Sequence, residues 1–297
     1  MILDGVEIED TFAEAFGMRA TRVVVTADSA GWAKIAGETA IGFATSVIAC
    51  GAEAGIERML TPAETPDGRP GIAILLFAIN REALAKAVRD RVGQCILTCP
   101  GTACYAGMSD GDPVPLGRVL RFFGDGHQAA KRIAGRRFWR IPVMDGEFLC
   151  EDTVGQRKAV GGGNFLILGR GRAAVLAAAE RAVAAMRILP EVIMPFPGGV
   201  VRSGSKLGSR YKGLNASSNL AYCPTVRGVV ASSLPDAAAS VLEIVIDGLS
   251  EAAITRATAA GIRAACAGGD GEILRISAGN YGGKLGAFHF HLHKLLA

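Results

Sequence analysis

Residues 164–194 read Asn164-Phe-Leu-Ile-Leu-Gly169-Arg-Gly-Arg-Ala-Ala-Val-Leu-Ala-Ala-Ala-Glu-Arg-Ala-Val-Ala-Ala-Met-Arg187-Ile-Leu-Pro-Glu-Val-Ile-Met194. A short apolar run leads through a glycine turn into an Ala-rich segment, and a second apolar run follows. That order predicts a strand over 164–168, a helix over 172–187 and a strand over 191–194. The pattern returns downstream. Residues 241–247 predict a strand, Ser250 caps a helix through Cys266, and 272–277 predict the next strand. The first half carries the same units: a strand over 22–26, a helix over 32–39 and a strand over 43–49, then a strand over 72–79, a helix from Asn80 to about residue 92 and a strand over 95–98. Thr11 and Glu14 have capping-box spacing, which predicts a short helix ending at Gly17. Residues 100–117 are rich in Gly, Pro and Asp and predict a long loop, and 118–123, 137–143 and 147–151 predict short strands. Repeated strand–helix–strand units with hairpin strands between them fit sheets covered by helices on one face. The expected fold is α+β, with two ferredoxin-like α/β sandwich lobes arising by duplication, residues 1–150 and residues 151–297.

The totals agree with a folded chain. There are 297 residues, half of them hydrophobic, enough for two cores. No apolar run reaches the length of a bilayer span, and acidic residues precede the first basic one, Arg19, so a cytoplasmic, soluble protein is expected. A net charge of +4 without basic clusters interleaved with aromatics argues against nucleic acid, and Arg136-Arg137-Phe138-Trp139-Arg140 is read as a solvated strand edge. The seven cysteines are an odd set. Cys95, Cys99 and Cys104 have a C-x3-C-x4-C spacing that fits neither zinc nor iron–sulfur patterns, so they are read as small buried hydrophobes.

Several motifs invite a ligand. Gly169-Arg-Gly-Arg-Ala-Ala174 matches G-x-G-x-x-A, but no acid ends the following strand to hold a ribose, so the glycines are read as a tight turn. Residues 195–208 and 276–293 are glycine-rich and share Lys-Leu-Gly at 206–208 and 284–286. Glycines let backbone N–H groups approach an anion, and a lysine adds charge. Ser205, Lys206, Asn280 and Lys284 are the candidate substrate-binding residues, with Arg202 another anion contact. His289, His291 and His293 alternate, which on a strand would place them on one face; hydrogen bonding is preferred to zinc, since no partner ligand is near in sequence. The expectation is no metal. Glu243 interrupts the apolar run 241–246 and is the candidate catalytic residue. If its face is buried, desolvation raises its pKa and leaves a carboxylic acid able to protonate a leaving amine. There is no G-x-S-x-G elbow and no reactive-cysteine signature, so a covalent acyl-enzyme lacks support.

Longer strings carry a resemblance. Residues 5–16 (Gly5-Val-Glu-Ile-Glu-Asp-Thr-Phe-Ala-Glu-Ala-Phe16), 64–71, 122–126, 162–165, 195–199, 221–225 (Ala221-Tyr-Cys-Pro-Thr225), 276–280 and 282–286 resemble, in order and across the chain, the formylmethanofuran–tetrahydromethanopterin formyltransferases. The resemblance implies a cytoplasmic one-carbon enzyme that moves a formyl group between the amine of methanofuran and N5 of tetrahydromethanopterin. It implies two ferredoxin-like lobes, a homotetramer built from dimers, and no metal or prosthetic group, the two carriers being substrates. The family's acid–base glutamate lies in a strand reading Glu-Ile-Val-Ile, which falls on Glu243. Departures from archaeal members (a slightly basic charge, abundant Ala and Arg, and Leu220 in place of an acid) resemble the bacterial branch of methylotrophs. There the enzyme serves formaldehyde oxidation in a complex with formyl-hydrolase subunits. A non-catalytic scaffold subunit of such a complex is the alternative.

Overall fold

The computed structural model describes residues 1–268 and 271–297. They form two compact units, Gly17–Ala159 and a second made of Met1–Phe16 with Val160–Ala297. Against the expected halves 1–150 and 151–297, residues 1–16 pack with the carboxyl-terminal unit. The reason is pairing: Val6–Ile8 lies parallel to Ile273–Ser277, and residues 12–15 pair with Phe288–His291.

Each unit repeats one topology. In Gly17–Ala159 the chain runs strand, helix Ala30–Ile41, strand Glu53–Leu60, strand Gly71–Ala78, helix Arg81–Arg91, strand Ala103–Ala106. Across the sheet the order is Ala103–Ala106, the 17–26 part of Phe12–Thr26, Gly71–Ala78, Glu53–Leu60, every neighbour antiparallel. In the second unit the 160–169 part of Thr153–Gly169, helix Arg172–Arg187, Val192–Ile193, Ser240–Gly248, helix Glu251–Cys266 and Ile273–Ser277 follow the same plan. Their sheet order is Ile273–Ser277, Thr153–Gly169, Ser240–Gly248, Val192–Ile193, again antiparallel. Both are the βαββαβ arrangement of a ferredoxin-like sandwich. Both also add a parallel strand beyond the last one, Gly146–Glu151 on Ala103–Ala106 and Val6–Ile8 on Ile273–Ser277.

The helices start where short polar side chains can cap them. Ser29, Asn80 and Ser250 accept hydrogen bonds from the amides of Trp32, Ala83 and Ala253. In the second unit Val175, Ala178, Ala179 and Ala182 of one helix and Ala253, Ile254, Ala257 and Ile262 of the other bury against Phe165, Ile167, Ile244, Ile246 and Ile276. Alternation along the strands then turns Leu166 and Glu243 to the face without helices. Small residues bring the two helices close: a Cβ on Gly261 would lie 2.3 Å from the Met186 sulfur.

Five local expectations are corrected. Residues 11–17 lie at the start of strand Phe12–Thr26 instead of forming a helix, because Ala13 and Ala15 bury in the core and residues 12–15 pair with Phe288–His291. Residues 43–49 hold a turn and the one-turn helix Val47–Cys50, capped by Ser46. Residues 95–98 continue a helical path through Val92–Ile96. The 100–117 loop contains strands Ala103–Ala106 and Asp112–Pro115. Residues 118–123 are helical turns, Gly117–Leu120 and Arg121–Gly124.

Candidate active site

Glu243 stands on the second of the four strands counted from the Val192–Ile193 edge. Its neighbour across one ladder is Leu166, and Leu166 in turn faces Ser277. The three side chains therefore share one row on the helix-free face. Backbone bonds of 2.8 and 2.9 Å to Val201 fix Glu243 on its other side. Leu166 is buried and Glu243 half-buried. Apolar neighbours strip water from its carboxyl, and this desolvation pushes its pKa up to about 7. Near neutral pH the group can both give and take a proton.

Segments outside the sheet bring further polar groups to this row. The Tyr222 hydroxyl shares a 3.1 Å hydrogen bond with Ser277 Oγ. The Tyr281 hydroxyl lies near Ser205, and burial together with the charges of Glu243 and Glu14 pushes its pKa up. Tyr281 is thus an undissociated donor close enough to Glu243 to feel its charge. Buried Asn164 pins the start of the loop carrying Tyr281. Its amide nitrogen donates to Gly279 O at 3.1 Å and its oxygen accepts from Gly279 N at 2.6 Å.

Glu14 organises the rest of that loop. Its side chain is 1% exposed. One carboxylate oxygen accepts from the amides of Tyr281 and Gly283 at 2.6 and 2.9 Å, the other from Leu285 and Gly286, both at 2.6 Å. Burial alone would raise the pKa, but the four N–H groups outweigh it and bring it down to about 2. Positive φ at Gly282 and Gly283, 71° and 72°, lets the amides converge. The glycine-rich loop does gather N–H groups around an anion, as its sequence suggests. That anion is the protein's own Glu14, not an external ligand.

Comparison with known proteins follows the same lines. A family model described as formylmethanofuran-tetrahydromethanopterin formyltransferase matches residues 1–143, and its companion for the proximal lobe matches 146–295. The chain belongs to this formyltransferase family. A relative of that name from Methylococcus capsulatus is 62% identical over 298 residues, covering 100% of both chains. A solved formyltransferase/hydrolase complex from Methylorubrum extorquens, in complex with methylofuran, contains a chain that matches with TM-score 0.98 and 54% identity, covering 100% of this chain and 99% of that one. The formyltransferase structure from Methanosarcina barkeri matches with TM-score 0.94 and 46% identity, over 99% and 100%. Identity is thus higher to these bacterial members of the formyltransferase family than to the archaeal one.

The other candidate site residues are distributed unevenly. Ser205 is exposed and lies near the Tyr281 hydroxyl. Asn280 shapes the loop: its Nδ2 donates to Thr11 Oγ1 and Phe12 O, both at 3.2 Å, and its oxygen accepts from Gly282 N at 3.0 Å. Lys206 pairs through its backbone with Ser217 and leaves its side chain exposed, and Lys284 is exposed on the Glu14-held loop. The histidine row does not form. The strand ends at His291 and helix Leu292–Leu296 begins, so His293 turns away to Ile8 O at 2.8 Å. Among the described residues no group of three or more His, Cys, Asp or Glu is placed to hold a metal ion. The Gly169 turn is explained by packing, since a Cβ there would meet Val175 at 2.6 Å and Glu272 O at 2.8 Å. No described helix is long and apolar enough to cross a membrane. Glu14, Asn164, Tyr222 and Tyr281 were not singled out from the sequence. Glu14 carried the same signal as Glu243, an acid between apolar strand positions, but the capping-box spacing with Thr11 masked it.

Proposed function

We propose that this chain is a formyltransferase that moves a formyl group between N5 of tetrahydromethanopterin and the amine of methanofuran or a methanofuran analogue, with Glu243 as its acid–base residue. The observation that carries the role of Glu243 is its place on the helix-free face, where burial of its carboxyl leaves it poised near neutrality. The reaction needs such a group. The attacking amine nitrogen forms a bond to the formyl carbon, and the carbonyl electrons move onto oxygen to give a tetrahedral oxyanion. The departing nitrogen takes the Glu243 proton as its bond to carbon breaks. The carbonyl re-forms, and the surplus proton of the attacking nitrogen returns to Glu243. One carboxyl therefore serves both directions, as acid and then base. Holding both amines in line supplies much of the remaining acceleration.

Ser205, Lys206, Asn280 and Lys284 are proposed to line the carrier sites, the two lysines facing anionic groups of the carriers and Asn280 acting through the loop it shapes. The working assembly is proposed to be a homotetramer, with formyl-hydrolase subunits as further partners. This extends to the present chain the assembly of the Methylorubrum extorquens relative, which is part of a formyltransferase/hydrolase complex. Its location is proposed to be cytoplasmic.

The test is turnover by the purified chain given formyl-tetrahydromethanopterin and methanofuran without nucleotide. Formylmethanofuran production is expected. No turnover, with tight binding to hydrolase subunits, would replace this reading with a non-catalytic scaffold.

A further inference from the structure

Glu14 is an unusual expense of buried charge in a strand otherwise made of small apolar residues at that point, Ala13 and Ala15 being fully buried beside it. All four of its bonds go to one loop more than 260 positions away in the chain. A carboxylate that accepts four amides holds a loop far more tightly than apolar packing does, because each bond is charge-assisted. The same loop carries Tyr281 as its first clamped residue, and the Tyr281 hydroxyl is the neutral donor nearest in character to what the reaction lacks. Glu243 supplies a proton to nitrogen, but the formyl oxygen also gains charge and needs a donor already in place.

Resting on the proposed formyl transfer, we infer that Tyr281 and Glu14 act as a pair. Tyr281 donates its hydroxyl to the formyl oxygen as that oxygen becomes an oxyanion, and Glu14 is the positioning residue that fixes the loop carrying Tyr281. Asn164 secures the entrance of the loop through Gly279, and it pairs with Val245, two residues along the strand from Glu243. Glu14 touches no substrate in this arrangement. Gln is its most revealing replacement. One end of the amide keeps an acceptor for two N–H groups, while the other end sets an NH2 against the remaining two.

The experiment is a double-mutant cycle in the formyl-transfer assay, with folding of each variant checked by circular dichroism and thermal melting. Tyr281→Phe is expected to lower kcat about a hundredfold, the scale of losing one oxyanion donor. Glu14→Gln is expected to lower kcat at least about tenfold with KM changed less than about threefold. The double variant is expected to be no slower than Tyr281→Phe alone, because Glu14 acts through Tyr281. Losses that multiply would overturn the pairing and leave Glu14 with a general role in the fold. Normal kcat in Tyr281→Phe would overturn the inference outright. In that case an inactive Glu243→Gln would leave the proposed function standing, whereas an inactive wild-type chain would remove the proposed function itself. If Glu14→Gln does not fold, Glu14→Asp, which keeps the charge and retracts it by one methylene, takes its place in the cycle. If neither folds, the clamp serves folding only and the inference fails.

Discussion

Replacing Glu243 by Gln separates proton transfer from everything else this side chain does. Gln has the shape of the protonated acid and keeps a donor and an acceptor, so substrate contacts and packing survive. What disappears is a transferable proton, and general acid–base catalysis of this kind contributes about a hundredfold to ten-thousandfold. A hundredfold loss corresponds to about 2.7 kcal/mol of transition-state stabilisation. The pH dependence sharpens the expectation. With a pKa of about 7 in the free chain, the acid is about nine-tenths protonated at pH 6, about half at pH 7 and about one-tenth at pH 8. The kcat/KM profile reports the free enzyme. The ratio of wild-type to variant kcat/KM, in which titration of the carriers cancels, should therefore fall about fivefold between pH 7 and pH 8. Stability moves in the same direction with pH. A carboxyl whose folded pKa lies above its ordinary 4.5 binds its proton more tightly in the native state, so wild-type stability declines as pH rises from 4.5 through 7. Gln removes that decline. The shift from 4.5 to about 7 corresponds to about 3 kcal/mol. At pH 8 the variant should be at least as stable as wild type. The assay is steady-state formyl transfer from pH 6 to 8, with chemical denaturation run in parallel. An undiminished kcat/KM, or a loss carried entirely by KM, would refute the assignment of Glu243 as proton carrier.

Three further outcomes follow from the fold. Glu14 has a folded pKa of about 2, below its ordinary 4.5, so its contribution is complete above that value and is lost as pH falls from 4.5 to 2. Acid titration of unfolding should show about 3 kcal/mol disappearing in that window, and a Glu14→Gln chain should lack that component. Gly169→Ala should destabilise by about 1–3 kcal/mol in denaturant melts, because the added carbon meets Val175 and the Glu272 carbonyl; a neutral effect would reopen the reading of this glycine. Ser250→Ala should cost about 1 kcal/mol by removing the acceptor for Ala253 N, and Ser250→Asp should restore it.

The fold was most legible where local chemistry and tertiary structure agree. The helix over 172–187 and the helix capped by Ser250 and ending at Cys266 appear with the limits their sequences suggest, because Ala-rich periodicity and a serine cap are local signals. The strand holding Glu243 was legible for the same reason. Short apolar runs were not. Residues 43–49, 95–98 and 118–123 carry too few positions for a period of two to be told from 3.6, and all three proved helical or turned. Residues 11–17 failed differently. Thr11 and Glu14 have local capping spacing, yet the Glu14 carboxylate is claimed by amides at 281–286, a partnership that only tertiary structure creates. The candidate site divides along that line. An acid inside an apolar strand announces itself, whereas Tyr281 gains meaning only once Glu14 holds its loop.

The most direct measurement is the titration of the Glu243 carboxyl itself, by infrared difference spectroscopy of carboxyl-labelled wild type against Glu243→Gln. A protonated C=O stretch is expected to persist above pH 6 and to vanish with a midpoint near 7. A midpoint near 4.5 would mean that water reaches this side chain freely, and the strand would then hold no proton for the departing nitrogen.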